Sequence, residues 1–301
     1  MNKILVIIVT YNAMKWLDKC LGSLKASVVP IDVFIVDNGS SDGTQSYISS
    51  NYPEYKFYQN KENVGFGKAN NIGLEYAINN QYDYAYLLNQ DAWIYPDTLK
   101  ILSQASVENP DYGILSPMQM TGSAKRLDKN FVSTCCSYNS NQYFFEDLYF
   151  DRVGEIYSVK HVMAAHWLIK LSILKKVGAF SDTFPHYGED TNMCHRMYFH
   201  NFKVGIVPKA KAVHDREYRK QTKEQAIYQI YILLLLRLSN PIKKENIFSI
   251  KIWKDVFSAI YRFHSFTILS YLLKILSNIR TINKNTVLSK TFNGPFLKNA
   301  K

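Results

Sequence analysis

The chain has 301 residues, of which 47% are hydrophobic and 14% aromatic, and this composition excludes an intrinsically disordered protein. A chain of this length forms one large domain, or one domain with an extension. The net charge of +11 lies entirely in residues 215–301, which hold 16 Lys and Arg against 5 Asp and Glu. We therefore predict one domain at 1–215 and a basic helical extension at 216–301.

The first part of the chain alternates between strand-like and helix-like segments. Continuous apolar runs predict strands at 3–9, 31–36, 55–58 and 84–88. Helical spacing and capping residues predict helices at 13–25, 44–50 and 68–79, with another after 96. These alternations predict an α/β fold with a mostly parallel sheet, flanked by helices and joined by right-handed crossovers.

The pattern is less regular between residues 113 and 215. Strands are predicted at 113–116, at 159–171 with polar interruptions, and at 204–207 before Pro208. Helices are predicted at 172–177 and 189–200, on either side of a loop. Residues 120–155 are aromatic-rich, and no element is assigned to them.

From residue 224 onward the pattern is helical. The apolar run at 227–238 is too short to cross a membrane. Residues 247–279 are amphipathic, basic and rich in aromatic side chains, so residues 224–280 could lie on an anionic membrane surface. They could equally pack on the core or on a second copy in a homo-oligomer. The tail from residue 283 is expected to be loose.

The charge distribution and the cysteines limit the classes of binding partner and the cellular compartment that we expect for this protein. The sequence pI of about 9.2 is typical of nucleic-acid binding, but the charge lies on aromatic amphipathic helices, so no nucleic acid is expected. The four cysteines show no CxxC spacing, which argues against a zinc site and favours a reduced, cytoplasmic setting. The apolar run after Lys3 is too short for a signal peptide.

Polar residues follow the first two predicted strands. Thr10, Tyr11 and Asn12 follow the first, and Asp37 and Asn38 follow the second. Neighbouring strand ends of this kind form a crevice suited to a nucleotide, and the carboxamide of Asn38 can pair with a pyrimidine. Taken singly, Asp37 or Asn38 is better explained as an Asx turn. Neither a GxGxxG motif nor a P-loop is present, which disfavours dinucleotide enzymes and P-loop NTPases.

Two further sites carry carboxylates. Asp91 follows the strand at 84–88, where it is a candidate metal ligand or a helix cap. His214 is the candidate second ligand, although a lone histidine is often structural. Glu189 and Asp190 open a helix, either as capping residues or with a general base that deprotonates an acceptor hydroxyl. Arg196 could orient that pair or meet a phosphate.

Five motifs in this order resemble family 2 glycosyltransferases, in particular rhamnosyltransferase-like and galactofuranosyltransferase-like bacterial members. The resemblance covers roughly residues 1–215. The motifs are Thr10-Tyr11-Asn12, Val36-Asp37-Asn38-Gly39-Ser40-x-Asp42-Gly43-Thr44, Asn63-x-Gly65-Phe66-Gly67-x-Ala69-Asn70-Asn71-x-Gly73, Asn89-Gln90-Asp91 and Glu189-Asp190-x-x-x-Cys194-x-Arg196.

This resemblance implies a GT-A fold and an inverting transfer from a nucleotide sugar. Asp91 stands at the last position of the family's DxD and would bind Mg²⁺ or Mn²⁺ together with His214. Asp190 matches the catalytic base, with Glu189 beside it. The nucleotide-binding residues implied are Thr10, Tyr11, Asn12, Asp37, Asn38, Gly67, Asn70, Asn89 and Gln90.

The sequence departs from the family pattern at three places. The DxD is reduced to Asn89-Gln90-Asp91, Asn38 replaces an Asp common in uridine-nucleotide users, and Asn192 replaces an acid. The base of the donor is therefore left open between uridine and thymidine. His166, Trp167 and Arg196 are candidate acceptor contacts, with core packing as the alternative for Trp167.

The predicted function is therefore transfer of a sugar from dTDP-rhamnose or a UDP-hexose to a hydroxyl of a lipid-linked or glycan acceptor in surface polysaccharide synthesis. The enzyme would work in the cytoplasm, either free or on the inner face of the cell membrane. A nucleotidyltransferase and a non-catalytic nucleotide-sugar-binding protein are the alternatives.

Overall fold

The computed structural model describes residues 2–216, 221–243 and 245–297. The chain first forms, in order, β1 (Ile4–Thr10), α1 (Leu17–Lys25), β2 (Asp32–Asp37), α2 (Thr44–Asn51), β3 (Lys56–Gln59), α3 (Phe66–Asn79) and β4 (Tyr84–Asn89). These elements follow the predicted alternation, because each strand is separated from the next by a helix.

The next part of the chain is less regular. It forms, in order, β5 (Ala92–Ile94), α4 (Thr98–Glu108), β6 (Tyr112–Met120), α5 (Lys129–Phe131) with a π-helical turn (Val132–Cys136), α6 (Gln142–Tyr149), β7 (Tyr157–Ser158), β8 (His166–Lys170), α7 (Leu171–Val177), α8 (Glu189–Phe199) and β9 (Lys203–His214). The strand predicted at 159–171 is confined to β8. The strand predicted to end before Pro208 instead continues to His214.

Within the described residues the strands form one nine-stranded sheet in the order β3-β2-β1-β4-β8-β6-β9-β5, with β7 paired to β9. Strands β1 to β4 pair in parallel, as predicted. Strand β8 lies antiparallel between β4 and β6, and β5 and β7 run antiparallel to β9. The second half of the sheet is therefore mixed.

Both faces of the sheet are covered. Leu5 and Ile7 lie in an apolar cluster with Leu74 of α3, whereas Val6 and Ile8 lie in a second cluster that includes helix α1. A strand buried on both faces needs a continuous apolar sequence, which explains the run in β1. The polar residues at the strand ends are thereby set at one edge of a rigid sheet.

Four helices follow the sheet: α9 (Lys223–Ser239), α10 (Ile250–Phe263), α11 (Thr267–Ser277) and α12 (Ile279–Leu288). They share an apolar cluster, which also takes in Phe184 from the loop before α8. The hydroxyl of Tyr228 donates to the carbonyl of His186 at 3.0 Å. A Cβ on Gly188 would lie 2.8 Å from Ile232 Cγ2, so α9 packs directly on this loop.

The expectation of a loose tail from residue 283 is wrong for residues 283–297. Thr286 and Ser289 are buried, and the amide of Ala179 donates to the carbonyl of Pro295 at 3.0 Å. The amide of Gly294 donates to the carbonyl of Lys176 at 3.0 Å. These backbone bonds attach the tail to the end of α7. Residues 298–301 lie outside the described part of the chain.

Within the part of the chain that the structure describes, no helix has the length and apolar character needed to span a bilayer.

Candidate active site

The ends of β1 and β2 are joined by buried hydrogen bonds. Thr10 and Asp37 are partners in register, and Thr10 Oγ1 donates to Asp37 Oδ1 at 2.9 Å. The amide and hydroxyl of Ser40 and the side chain of Gln45 also donate to the Asp37 carboxylate, at 3.0, 2.5 and 3.0 Å. Because Asp37 is fully buried, it organises the loop after β2 instead of facing the crevice directly.

Asn38 is also engaged within the protein. Its Oδ1 accepts hydrogen bonds from Asn60 Nδ2 at 3.2 Å and from the amide of Val64 at 3.0 Å, while its Nδ2 donates to Asn63 Oδ1 at 2.8 Å. The expected two-point pairing of this carboxamide with a pyrimidine is therefore corrected, because only one N–H remains unused. The side chain instead holds the loop that leads into α3.

Asn12 links the loops after β1 and β2. It adopts a left-handed backbone conformation with φ of 51°, which asparagine tolerates better than most residues. Its amide donates to Ser40 Oγ at 2.9 Å, and its Oδ1 accepts from the amide of Ser41 at 2.9 Å. The amide of Met14 donates to Asp42 at 3.2 Å. The two predicted motifs thus form one connected loop structure.

Gln90 fixes the position of Tyr11. Gln90 Oε1 accepts from the Tyr11 amide at 2.7 Å, and Gln90 Nε2 donates to the Tyr11 carbonyl at 3.1 Å. This two-point contact joins the end of β4 to the end of β1. The side chain of Tyr11 is 46% exposed, so its ring is free to contact a ligand in the crevice.

Asp91 and His214 meet because β5 pairs with β9. Ala92 is in register with His214, and Asp91 Oδ1 lies 3.5 Å from His214 Nε2. Burial alone would raise the pKa of Asp91, but the hydrogen bond and charge of His214, with a contribution from Arg216, outweigh it and lower this pKa. The two predicted metal ligands are therefore adjacent, and the carboxylate of Asp91 is ionised.

Arg216 extends this cluster and was not singled out by the sequence analysis. Its Nη2 lies 3.5 Å from His214 Nδ1, and its Nε lies 3.6 Å from a carboxylate oxygen of the buried Asp128. Arg216 therefore brings a fixed positive charge next to Asp91 and His214. Its position two residues after the candidate ligand His214 was the available signal.

The cluster around Asp91 has features that fit a metal shared with a ligand. Asn89 Oδ1 is buried without a hydrogen-bond partner. Among the described residues, no group of three or more His, Cys, Asp or Glu could hold a metal by itself. Mg²⁺ typically takes one or two carboxylates and completes its coordination with phosphate and water oxygens. Asp91 and His214 could therefore hold a metal only together with a phosphate-bearing ligand.

Asp190, at the start of α8, is held as an ionised carboxylate. Its Oδ2 lies 3.4 Å from His161 Nε2, and its Oδ1 accepts from the amide and hydroxyl of Thr191 at 2.7 and 3.3 Å. Burial raises the pKa of Asp190, but His161 and Thr191 outweigh burial and lower it below the ordinary value. His161 falls in the segment at 159–171 that was predicted as a strand with polar interruptions, but it precedes β8.

Glu189 has the opposite electrostatic character. Its side chain is only 5% exposed, and its Oε2 makes no hydrogen bond. Burial and the neighbouring charge of Asp190 raise the pKa of Glu189 to about 7. Two adjacent carboxylates with pKa values moved apart are typical of an acid–base site.

The start of α3 packs against the loop that leads to these carboxylates. A Cβ on Gly67 would lie 3.1 Å from Phe180 Cβ and 3.6 Å from Glu189 Cβ, which explains the glycine. The side chain of Asn71 makes two hydrogen bonds of 2.9 Å with the backbone of Phe180. Asn70 is buried and bonded within its own helix. Gly67 therefore supports this contact with the loop, whereas Asn70 stabilises the first turn of α3.

The expectation that His166 contacts an acceptor is corrected. His166 is fully buried between β4 and β9: the hydroxyl of Tyr86 lies 2.8 Å from Nδ1, and Nε2 lies 3.0 Å from the carbonyl of Val213. Burial and the neighbouring His214 lower the pKa of His166 to about 3, so the ring is neutral. It packs behind His214 as a structural histidine.

Trp167 and Arg196 are corrected in the same way. Trp167 is fully buried, stacks on Phe180 and donates to the carbonyl of Val162 at 3.1 Å. Arg196 is fully buried and donates to the carbonyls of Val177, at 3.0 Å, and Ala179. Both side chains stabilise the segment around α7 and leave no surface for an acceptor.

Comparisons with known proteins identify the family and relatives of this chain. The family model described as Glycosyl transferase family 2 matches residues 5–177. The chain is 22% identical to the low-salt glycan biosynthesis hexosyltransferase Agl10 of Haloferax volcanii over 232 residues, which cover 75% of this chain and 71% of that protein. It is 30% identical to the N-acetylglucosaminyl-diphospho-decaprenol L-rhamnosyltransferase of Mycobacterium tuberculosis over 122 residues, which cover 38% of this chain and 40% of that protein.

Solved structures share the fold. The mannosyltransferase PcManGT of Pyrobaculum calidifontis, solved in complex with GDP-Man and Mn²⁺, superposes with a TM-score of 0.56 at 17% sequence identity, over 92% of this chain and 75% of that one. An identity this low shows the fold alone, and the predicted GT-A fold with C-terminal helices is confirmed.

Proposed function

The chain belongs to glycosyl transferase family 2, and from this premise we propose that it is an inverting enzyme with Asp190 as general base. It would transfer one sugar from a nucleotide diphosphate donor to an acceptor hydroxyl. The family assignment argues against both alternatives, a nucleotidyltransferase and a non-catalytic binding protein. The observation that carries the proposal is the Asp190 carboxylate, which His161 and Thr191 keep ionised beside the more protonated Glu189.

The reaction can be written with these residues in defined roles. The acceptor hydroxyl attacks the anomeric carbon of the donor and gives its proton to a carboxylate oxygen of Asp190. The bond between the anomeric carbon and the phosphate oxygen breaks in line, so the configuration inverts. The nucleoside diphosphate leaves with the bonding electrons and must be stabilised as an anion.

The cluster of Asp91, His214 and Arg216 would receive this leaving group. Asp91 and His214 would hold Mg²⁺ or Mn²⁺, which when bound would neutralise charge on the diphosphate. Arg216 would add a fixed positive charge that needs no metal. The reduced DxD motif is consistent with charge neutralisation shared between the metal and Arg216, because the side chain of Gln90 hydrogen-bonds to the backbone of Tyr11.

The donor would lie across the ends of β1 and β2. The exposed ring of Tyr11 is suited to contact the base or ribose, while Thr10, Asp37 and Asn38 hold the loops that shape the crevice. This arrangement leaves uridine and thymidine open. We therefore propose dTDP-rhamnose or a UDP-hexose, in line with the hexosyl and rhamnosyl transfer in the relatives' names.

The acceptor would be a lipid-linked or glycan hydroxyl in surface polysaccharide synthesis. The name of the mycobacterial relative includes a diphospho-decaprenol acceptor, which supports the lipid-linked form. We propose a catalytic domain at 1–215 and a helical extension at 216–301, working in the cytoplasm. The extension is in close contact with the loop before α8 through Tyr228 and Ile232.

A thermal-shift screen of UDP- and dTDP-sugars with and without Mn²⁺ tests the donor proposal. One nucleotide sugar should stabilise the fold by mass action, and Mn²⁺ should enlarge the shift. The Asp91→Asn variant should lose the Mn²⁺-dependent part only. If no pyrimidine-nucleotide sugar shifts the unfolding temperature, the proposed donor class is wrong.

A further inference from the structure

Helices α10 and α11 each bury one apolar stripe. The buried residues of α10 are Ile252, Val256 and Ala259, and those of α11 are Ile268, Leu272 and Ile275. They recur at intervals of three or four residues and pack into the cluster shared with α9. Packing on the rest of the protein thus accounts for one side of each helix.

The same two helices carry a second apolar stripe that is not covered. We call it the outer face; its members are Ile250, Trp253, Phe257 and Tyr261 of α10, Phe266 before α11, and Leu269, Leu273 and Leu276 of α11. Tyr261 is 81% exposed and Phe266 is 72% exposed. Contiguous exposed apolar side chains of this size mark an interaction surface.

The outer face is bordered by positive charge. Residues 250–290 contain seven Lys and Arg, and Asp255 is their single acidic residue. Asp255 is paired with Arg237 of α9, so it does not neutralise the border. Lys254 and Arg262 lie on α10 beside the exposed aromatic residues. Lys251 is paired with Glu245 and Lys274 lines a cavity elsewhere, so Lys254 and Arg262 are the positive charges that this surface combines with large apolar side chains.

We propose that the outer face docks on an anionic membrane surface. Aromatic and leucine side chains would enter the interface between headgroups and acyl chains, while Lys254, Arg262 and their neighbours would face anionic lipid. A second copy of this chain is a poorer occupant, because two such faces would bring like charges together. Charge complementarity thus favours anionic lipid.

The opposite side of α11 faces the loop before α8. Lys274 and Ile275 line a cavity of about 610 Å³, whose other walls include Gly67, Lys68 and the loop at 182–186. A Cβ on Gly67 would lie 3.6 Å from Glu189 Cβ, so the cavity lies next to the acid pair. If the proposed lipid-linked acceptor is correct, docking through α11 would bring this cavity to the lipid surface. Membrane docking itself does not depend on that function.

Vesicle flotation of the full chain tests the proposal. The protein should float with vesicles that contain phosphatidylglycerol, bind vesicles of phosphatidylcholine alone much less, and lose binding as salt is raised. The triple variant Phe257→Ser, Tyr261→Ser and Leu273→Ser should lower partitioning by about tenfold or more. A double variant, Lys254→Gln with Arg262→Gln, should weaken binding to the anionic vesicles selectively.

The matched control is Val28→Ser with Val107→Ser, two exposed apolar residues of the sheet domain, which should bind like the unmodified chain. Thermal unfolding establishes that each variant is folded. The proposal is overturned if the unmodified chain does not float with anionic vesicles, or if both variant sets bind unchanged. It is also overturned if sedimentation shows a dimer that the triple variant dissociates, because the face would then join two copies.

Discussion

The Nε2 atom of His161 lies 3.4 Å from the Oδ2 atom of Asp190, although the two residues belong to different segments of the chain. This contact keeps the partly buried carboxylate ionised and directs one of its oxygens. The other oxygen is held by Thr191. A base fixed in this way can accept a proton without reorganising, which is what general base catalysis requires.

Replacing His161 should move the pH dependence of the reaction. In His161→Gln the lowering effect of the histidine is lost and burial remains, so the pKa of Asp190 should rise. The acidic limb of the kcat/KM profile should therefore shift to higher pH, with activity approaching that of the unmodified enzyme in alkaline buffer. An unchanged acidic limb would show that His161 does not act through Asp190.

Replacing Glu189 should stabilise the protein at neutral and alkaline pH. The pKa of Glu189 is about 7 in the folded state against an ordinary value of 4.5, so its protonated form favours folding below 4.5 and this stability is lost as pH rises through 7. At a pH above 7, Glu189→Gln should therefore raise the free energy of unfolding by about 3 kcal/mol.

Chemical denaturation at about pH 5 and about pH 8 measures this difference. The variant should gain stability over the unmodified protein at the higher pH and much less at the lower pH. Equal differences at both values would contradict the raised pKa. Transfer activity of Glu189→Gln should persist, because the amide resembles the protonated acid.

Removing Arg216 should slow departure of the diphosphate. Arg216→Ala should lower kcat by about tenfold to a hundredfold, whereas Arg216→Lys should retain part of the activity because it keeps the charge. Steady-state kinetics at several Mn²⁺ concentrations should show Asp91→Asn needing more metal for half-maximal rate. If Arg216→Ala changes only KM for the acceptor, its proposed role at the leaving group is wrong.

The sequence predicts the first half of the sheet well because its central strands, β1, β2 and β4, contain long apolar runs. Strands such as Ile4–Thr10 are buried on both faces, and polar residues follow them directly. The pairing of Asp91 with His214 could also be predicted, since each residue stands next to a strand end. Hydrophobic periodicity does not predict that β8 inserts antiparallel between β4 and β6, because that pairing depends on contacts between distant segments.

The errors in the site have a common physical cause. His166, Trp167 and Arg196 are residue types that often bind sugars or phosphates, but here their polar atoms bond to Val213, to Val162, and to the end of α7. Sequence patterns do not distinguish a polar atom satisfied by the protein backbone from one that is free for a ligand. His161 was missed because its partner Asp190 lies elsewhere in the chain.

The role of Asp190 is tested most directly by comparing Asp190→Asn with Glu108→Gln, which changes an exposed carboxylate at the end of α4. Release of nucleoside diphosphate and formation of the glycosylated acceptor should fall by about a hundredfold or more in Asp190→Asn, while donor binding by thermal shift stays close to normal. Glu108→Gln should transfer sugar normally. Near-normal transfer by folded Asp190→Asn would contradict the assignment of Asp190 as the general base.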